Sequence, residues 1–240
     1  MRFATDTISS IHPSYTEQWE DTLFLTFDID WACDDVLADT IDLVEEAGFA
    51  ATWFVTHDTP LLQRLRNKPN FEIGIHPNFN KILSGDCERE QNAESVLDEL
   101  MAIIPEAKSV RSHSLTQSSQ LCQLFQQKKL THDCNHFIPA QANIFLHPWL
   151  LPNGLVKVPY FWEDDSAFLY NNTTDITQLA KRKGLKVFNF HPIHVFLNTD
   201  RMERYEDSRP YHRSPEELLA CRNKETPGVR TSLKALMELG

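Results

Sequence analysis

The sequence lacks several features that mark whole classes of protein. No stretch of its 240 residues is long and apolar enough to span a bilayer, and its first residues lack the apolar core of a secretory signal. Positive charge is scarce, because 23 Lys and Arg face 34 Asp and Glu and leave a net charge of −11. This balance argues against nucleic acid or an anionic membrane surface as the main partner.

Cysteine pairs and linkers are also missing. The five cysteines form no C-x-x-C pair, and their odd number leaves at least one thiol free. Reduced cysteines are typical of the cytoplasm, which is the localisation we expect. No repeat and no linker rich in Pro, Gly or Ser divides the chain, so we expect a single domain over residues 1–240.

Strand-like and helix-like patterns alternate along the chain. Buried strands are predicted at 23–30, 50–55, 71–75, 109–111, 155–161 and 186–190. Helices are predicted at about 34–47, 61–65, 93–104 and 118–127, and after Ser214 and Gly228. Asp34 or Asp35 is the expected N-cap of the first of them. This rhythm favours an α/β fold with a mainly parallel sheet or barrel, whose working residues lie at the carboxyl ends of the strands.

Two carboxylates close the first predicted strand. Asp28 and Asp30 lie two residues apart, so on an extended strand they point to the same side. Acids held this close repel each other unless a positive group lies near them. One could therefore bind a metal while the other accepts a proton. The alternative is that they only cap the helix that follows.

Further donors follow the third predicted strand. Pro77 suits a first helical position, and one turn of helix would bring Asn80 to the same side as His76. Together with Asp30, these two residues would offer three donors to a divalent ion and leave positions open for water and substrate, as in catalytic zinc sites. The alternative is a histidine that caps a turn and an asparagine that stabilises a loop.

Cationic groups follow two other strands. Arg111 could keep Asp28 ionised and oriented through hydrogen bonds. The alternative is a salt bridge at the barrel rim. His113 could be a further metal ligand, a substrate contact or a support for a ligand. His191 ends the last clear strand, and because histidine titrates near neutrality it could return a proton to a leaving amine.

In this order the motifs resemble those of the NodB-homology polysaccharide deacetylases, carbohydrate esterase family four. The resemblance extends from about residue 22 to residue 195, through 26–30, 51–55, 74–80, Arg111, 158–164 and 190–192. It implies a distorted (β/α) barrel of about seven parallel strands, with C-terminal helices over 214–240. Within the family the chain is most similar to the WbmS-like branch, which is linked to O-antigen loci.

The resemblance also implies roles for individual residues. The implied catalytic residues are Asp28 as base, Arg111 as the residue that orients it, and His191 as acid. The implied metal ligands are Asp30, His76 and Asn80, for a divalent ion with zinc favoured. The implied substrate contacts are His113, Trp162 and Asp164.

Two departures from the family pattern affect these roles. Asn80 stands where the family usually has a second histidine, so either Asn80 or His113 could be the third ligand. The segment 112–115 replaces the usual proline and glycine after the arginine, which reshapes the groove wall.

The function expected from the resemblance is removal of an N-acetyl, or similar N-acyl, group from a sugar in surface-polysaccharide or O-antigen biosynthesis. The partner would be a sugar or glycan precursor, with neither nucleic acid nor a membrane span involved. Two alternatives remain open, namely a catalytically inactive carbohydrate-binding homologue and a metal-independent hydrolase of cyclic imides.

Overall fold

The computed structural model describes residues 2–86, 91–169 and 175–240. The strands within these ranges are β1 Ala4–Thr5, β2 Thr22–Asp28, β3 Ala51–Val55, β4 Phe71–Ile75, β5 Ser109–Val110, β6 His132–Asp133, β7 Trp149–Leu150, β8 Val156–Lys157, β9 Trp162–Glu163 and β10 Lys186–Phe190. The α-helices are α1 Thr16–Trp19, α2 Asp34–Ala47, α3 Leu62–Arg66, α4 Asn80–Ser84, α5 Ala93–Ile103, α6 Ser119–Gln127, α7 Asp164–Leu169, α8 Ile176–Leu179, α9 Pro192–Leu197, α10 Met202–Ser208, α11 Pro215–Ala220 and α12 Val229–Met237. None of these helices is long and apolar enough to cross a membrane.

The strands form one mostly parallel sheet that is strongly curled into a half-barrel. The strand order is β7-β8-β6-β5-β4-β3-β2-β10-β9, and β1 also pairs with β2. Every strand pair is parallel except the antiparallel pair β7–β8. The predicted α/β fold with a distorted barrel is therefore confirmed.

The core explains why the central strands read as continuous apolar runs. All seven residues of β2 are buried, because a parallel sheet is covered on both faces. The rings of Phe27 and Trp53 stack at 4.2 Å between neighbouring strands. Gly74 on β4 permits close packing, since a Cβ there would lie 2.8 Å from the Phe54 ring. That ring in turn faces the guanidinium of Arg111 at 4.6 Å.

Several element boundaries differ from the sequence prediction, and two of these differences have a clear local cause. The N-cap of α2 is Cys33 rather than Asp34 or Asp35, which lie in the first turn, where negative charge favours the helix dipole. The predicted strand at 155–161 contains only β8 and an isolated bridge at Tyr160, and β9 begins just beyond it at Trp162. A proline cannot donate to a strand ladder, so Pro159 accounts for the gap.

Candidate active site

The polar residues predicted at strand ends gather at one edge of the sheet. Asp28 ends β2, and His76, Arg111 and His191 directly follow β4, β5 and β10. Because the carboxyl ends of parallel strands meet at the same edge, residues far apart in sequence become neighbours. The local arrangement at this edge divides into a donor cluster, a buried base network and a histidine–aspartate pair.

The donor cluster consists of Asp30, His76 and His113. Asp30 Oδ1 lies 3.2 Å from His76 Nε2 and 3.3 Å from His113 Nδ1, and the two histidine nitrogens lie 3.3 Å apart. Ligand atoms about 2.0–2.1 Å from a tetrahedral ion lie ~3.3–3.4 Å from one another. This nearly equilateral triangle therefore fits one face of a tetrahedral metal site.

The charge state of the donor cluster also suits a cation. Asp30 Oδ1 is buried and has no hydrogen-bond partner among the described residues, and an orphaned buried oxygen is costly unless a ligand satisfies it. Burial opposes ionisation, but the neighbouring His113 and His76 hold the pKa of Asp30 well below its usual range. The proximity of Asp30 conversely raises the pKa of His113. The donor cluster is thus a candidate site for a divalent metal.

The position of Asp30 depends on a turn rather than on the strand. β2 ends at Asp28, and Asp30 and Trp31 adopt left-handed backbone angles with φ of 40° and 55°. The prediction that Asp30 continues the strand is therefore wrong. The turn nevertheless brings the two acids to opposite sides of one imidazole, with Asp28 Oδ1 3.7 Å from His76 Nδ1 and Asp30 Oδ1 beside Nε2.

The predicted helical turn from His76 to Asn80 is also wrong, because α4 begins only at Asn80. Asn78 accepts a hydrogen bond from the Asn80 backbone N–H at 2.9 Å, which forms a local turn before the helix. Asn80 is exposed, and its amide donates to Ser114 Oγ at 3.2 Å. The residue that joins Asp30 and His76 at ligand spacing is His113.

The predicted contact between Asp28 and Arg111 is confirmed. Arg111 is fully buried, and its Nη1 donates to Asp28 Oδ1 at 3.0 Å. Burial alone would lower the pKa of Arg111, but the charge of Asp28 raises it, so the guanidinium stays charged. The central carbon of the guanidinium lies 4.3 Å from the centre of the Tyr160 ring and 4.6 Å from that of the Phe54 ring, so two aromatic contacts restrict the side chain.

Sequence reasoning missed Asn189, which completes the base network. Its Nδ2 donates to Asp28 Oδ2 and to Glu163 Oε1, both at 2.9 Å. Both oxygens of Asp28 are thus held. The signal was an asparagine between Phe188 and Phe190 in an apolar strand, where an unpaired amide would be costly.

Glu163 belongs to the same network and was also missed as a site residue. Its carboxylate lies close to the Asp28 carboxylate and the His191 ring. One oxygen or nitrogen atom from each of these three side chains lies within 4.8 Å of the other two. Burial, followed by the charge of Asp165, raises the pKa of Glu163 above its ordinary value. A neutral, proton-bearing carboxyl group is therefore favoured beside Asp28.

His191 is paired with Asp164. Its Nδ1 lies 2.7 Å from Asp164 Oδ1, and its backbone N–H donates to Oδ2 at 2.8 Å. Burial opposes protonation, but the charge of Asp164 raises the pKa of His191 well above the usual range. The other ring nitrogen lies 3.7 Å from Asp30 Oδ2, so it faces the donor cluster. Because Asp164 is fully buried with both oxygens engaged, the predicted direct substrate contact does not fit it.

A cavity of about 390 Å³, the catalytic cavity below, opens on the donor cluster. It is lined by Asp30, Trp31, His113 and His191 among others. Trp162 was predicted to contact the substrate, but it is only 7% exposed, and its ring packs 4.8 Å from that of Phe190. It borders a second cavity together with Asp164 rather than the catalytic cavity.

Comparison with known proteins finds a matching family and a similar solved structure. The family model "WbmS-like: Polysaccharide deacetylase" matches residues 25–209. WbmS of Bordetella bronchiseptica, provisionally described as a polysaccharide deacetylase involved in O-antigen biosynthesis, is 45% identical, with 99% of this chain and 97% of that chain covered and a TM-score of 0.91.

More distant matches were also found among solved structures. A Mycobacterium smegmatis protein, provisionally described as a polysaccharide deacetylase, is 15% identical over 90% of this chain and 89% of its own, with a TM-score of 0.48. A CE4-family pseudoenzyme of Bacillus anthracis is 11% identical over 86% and 62%, with a TM-score of 0.40. Both are too dissimilar to carry an argument. No curated protein matches the chain.

Proposed function

The chain belongs to the WbmS-like polysaccharide deacetylase family, and from this membership we propose that it removes an N-acetyl, or similar small N-acyl, group from a sugar in O-antigen biosynthesis. The observation that carries the proposal is the triangle of Asp30, His76 and His113 beside the buried pair of Asp28 and Arg111. We propose a nucleotide- or lipid-linked sugar precursor as the substrate, handled by a single domain over residues 1–240.

In this proposal Asp30, His76 and His113 would hold a divalent ion, with zinc favoured because two imidazoles and one carboxylate suit it. Such an ion would act as a Lewis acid toward the acyl carbonyl and make water more acidic. His113 takes the place that the family resemblance assigned to Asn80. With both imidazoles neutral, this donor set carries the single negative charge of Asp30, so a divalent ion held there would keep a net positive charge to act on the substrate.

Asp28 is the proposed base. It takes a proton from the water whose oxygen forms the new bond to the acyl carbon. The hydrogen bonds from Arg111 and Asn189 fix both carboxylate oxygens, so the orientation is set before the substrate arrives. Arg111 cannot release its own proton, and therefore it supports the negative charge of Asp28 throughout.

His191 is the proposed acid. An amine is a poor leaving group unless it gains a proton as the C–N bond breaks. The buried carboxylate of Asp164 favours the protonated imidazole, and the free ring nitrogen faces the donor cluster. The products are a carboxylate, which carries the oxygen from water, and the free amino sugar.

The two alternatives have less support. An inactive carbohydrate-binding homologue was suggested mainly by Asn80, but His113 provides a third donor at ligand spacing. In a metal-independent hydrolase of cyclic imides, no metal would satisfy the buried Asp30 Oδ1, which has no hydrogen-bond partner among the described residues. The donor cluster therefore favours the metal-dependent deacetylase.

The test is release of acetate from a panel of nucleotide-linked N-acetyl sugars by zinc-loaded protein. We expect acetate and free amine in equal amounts with one or more of these sugars, and none with Asp28→Asn. Binding of the sugars without release by the wild type would favour the inactive homologue instead. Equal release after removal of the metal would favour the metal-independent alternative.

A further inference from the structure

Trp31 is far more exposed to solvent than the three buried tryptophans of the protein. It is 49% exposed, whereas Trp19, Trp53 and Trp162 are at most 7% exposed. Leaving an indole in water forfeits a large hydrophobic gain. Its exposure therefore needs an explanation, and its position directly after Asp30 suggests one.

The backbone holds Trp31 in this exposed position. Asp30 and Trp31 are consecutive left-handed residues, a conformation that is rare for a residue as bulky as tryptophan. The turn is fixed by hydrogen bonds from the Trp31 N–H to Thr56 Oγ1 at 3.2 Å and from the Ala32 N–H to the Ile29 carbonyl at 2.8 Å. Backbone strain of this kind concentrates at functional sites.

The turn places the indole beside the donor cluster. The ring of Trp31 meets that of His113 edge to face, with centroids 5.1 Å apart. Both residues line the catalytic cavity together with Asp30 and His191. A molecule that occupies this cavity beside the donor cluster therefore lies close to the indole.

We propose that Trp31 is the platform on which the sugar ring of the substrate packs while its acylamino group reaches the donor cluster. Pyranose rings present an apolar C–H face, and aromatic side chains supply such contact area in ligand sites. This inference rests on the proposed function and narrows its substrate. The cavity of about 390 Å³ is near the lower end of ligand pockets, which are roughly 300–1,000 Å³. We infer that it takes one terminal N-acylated sugar residue rather than a long glycan segment.

Two substitutions at Trp31 distinguish the effect of its aromatic ring from the effect of its left-handed turn. Trp31→Asn removes the indole but keeps a residue that tolerates left-handed angles, whereas Trp31→Phe keeps an aromatic ring. For an N-acetylated sugar we expect Asn to raise KM about tenfold, equivalent to about 1.4 kcal/mol, with little change in kcat. Phe should stay much closer to wild type. Tyr15→Asn is the matched control, because Tyr15 is equally exposed at 48% and lies outside the catalytic cavity lining.

Two further measurements test the proposed role of Trp31. Hydrolysis of a small alkyl acetate, which has no ring to pack on the indole, should be insensitive to Trp31→Asn, and zinc content should be unchanged. An unchanged KM for the sugar would overturn the inference. Parallel loss of zinc and of both activities would also overturn it, because Trp31 would then only shield the donors. If the wild type deacetylates no sugar, yet calorimetry shows that it binds an N-acetyl sugar and that Trp31→Asn weakens binding, the platform stands and the proposed function falls.

Discussion

Replacement of Asp164 by Asn tests the pair that controls His191. The Asp164 carboxylate is fully buried, and it accepts hydrogen bonds from both the ring and the backbone N–H of His191. Its charge raises the pKa of His191 against the opposing effect of burial. Asn preserves the shape of the side chain and removes the charge, so the pKa of His191 should fall.

The stability change should depend on pH in a defined direction. A buried hydrogen bond to a charged group contributes about 1.5–3 kcal/mol. Because the pKa of His191 is raised in the folded state, this contribution is fully present below the unfolded value of about 6.5 and is lost as pH rises through the folded value. We expect Asp164→Asn to lower the free energy of unfolding by about 1.5–3 kcal/mol near pH 6. In a chain of this size that is a loss in Tm of ~3–12 °C, and the loss should shrink at alkaline pH.

The assay is urea and thermal unfolding of wild type and variant at acid and alkaline pH, with a chelator present so that metal binding does not contribute. Asp165→Asn is the matched control, since it removes an acid one residue away. Burial already raises the pKa of Asp165, so its replacement should cost less. A loss that is equal at both pH values, or equal in the control, would refute the argument that the pair holds a protonated His191.

Three further predictions concern the same edge of the sheet. His113→Ala should lower zinc affinity by at least about tenfold in equilibrium dialysis, whereas Asn80→Ala should leave it unchanged; the reverse result would restore Asn80 as the third ligand. Asp28→Asn should lose nearly all deacetylation while zinc content and Tm persist, because an amide accepts no proton; loss of zinc would mean that Asp28 is a ligand instead. Glu163→Gln should leave neutral-pH activity nearly intact and gain stability relative to wild type in alkaline urea melts, because the raised pKa of Glu163 makes its ionisation unfavourable to folding as pH rises; no relative gain would contradict a buried neutral acid.

The sequence was most informative where one physical requirement dominates. β4 and β10 have the predicted bounds because their apolar runs are buried and flanked by turn-forming residues. The contact of Arg111 with Asp28 was also predictable, since a buried acid next to an arginine at a neighbouring strand end has few other partners.

Loop geometry could not be read from the sequence in the same way. Both errors at the donor cluster came from extending a regular element by a few residues, a strand through Asp30 and a helix back to His76. The left-handed turn at Asp30 arises without glycine, and an aspartate, although it tolerates such angles, is too weak a signal to end a strand by itself. The delayed start of α4 depends on one hydrogen bond from the Asn80 backbone N–H to the Asn78 side chain, and local bonds of this kind compete with helix formation.

The structure joins two departures from the family pattern that look independent in the sequence. Asn80 stands in place of a histidine, and the segment 112–115 stands in place of a proline and a glycine. The backbone N–H of His113 donates to the Pro77 carbonyl at 2.9 Å, and the side chain of Asn80 donates to Ser114. The loop that carries His113 is thus hydrogen-bonded to the segment that carries Asn80. In the proposed enzyme the two changes compensate each other, because the segment 112–115 carries His113, which joins Asp30 and His76 where Asn80 does not.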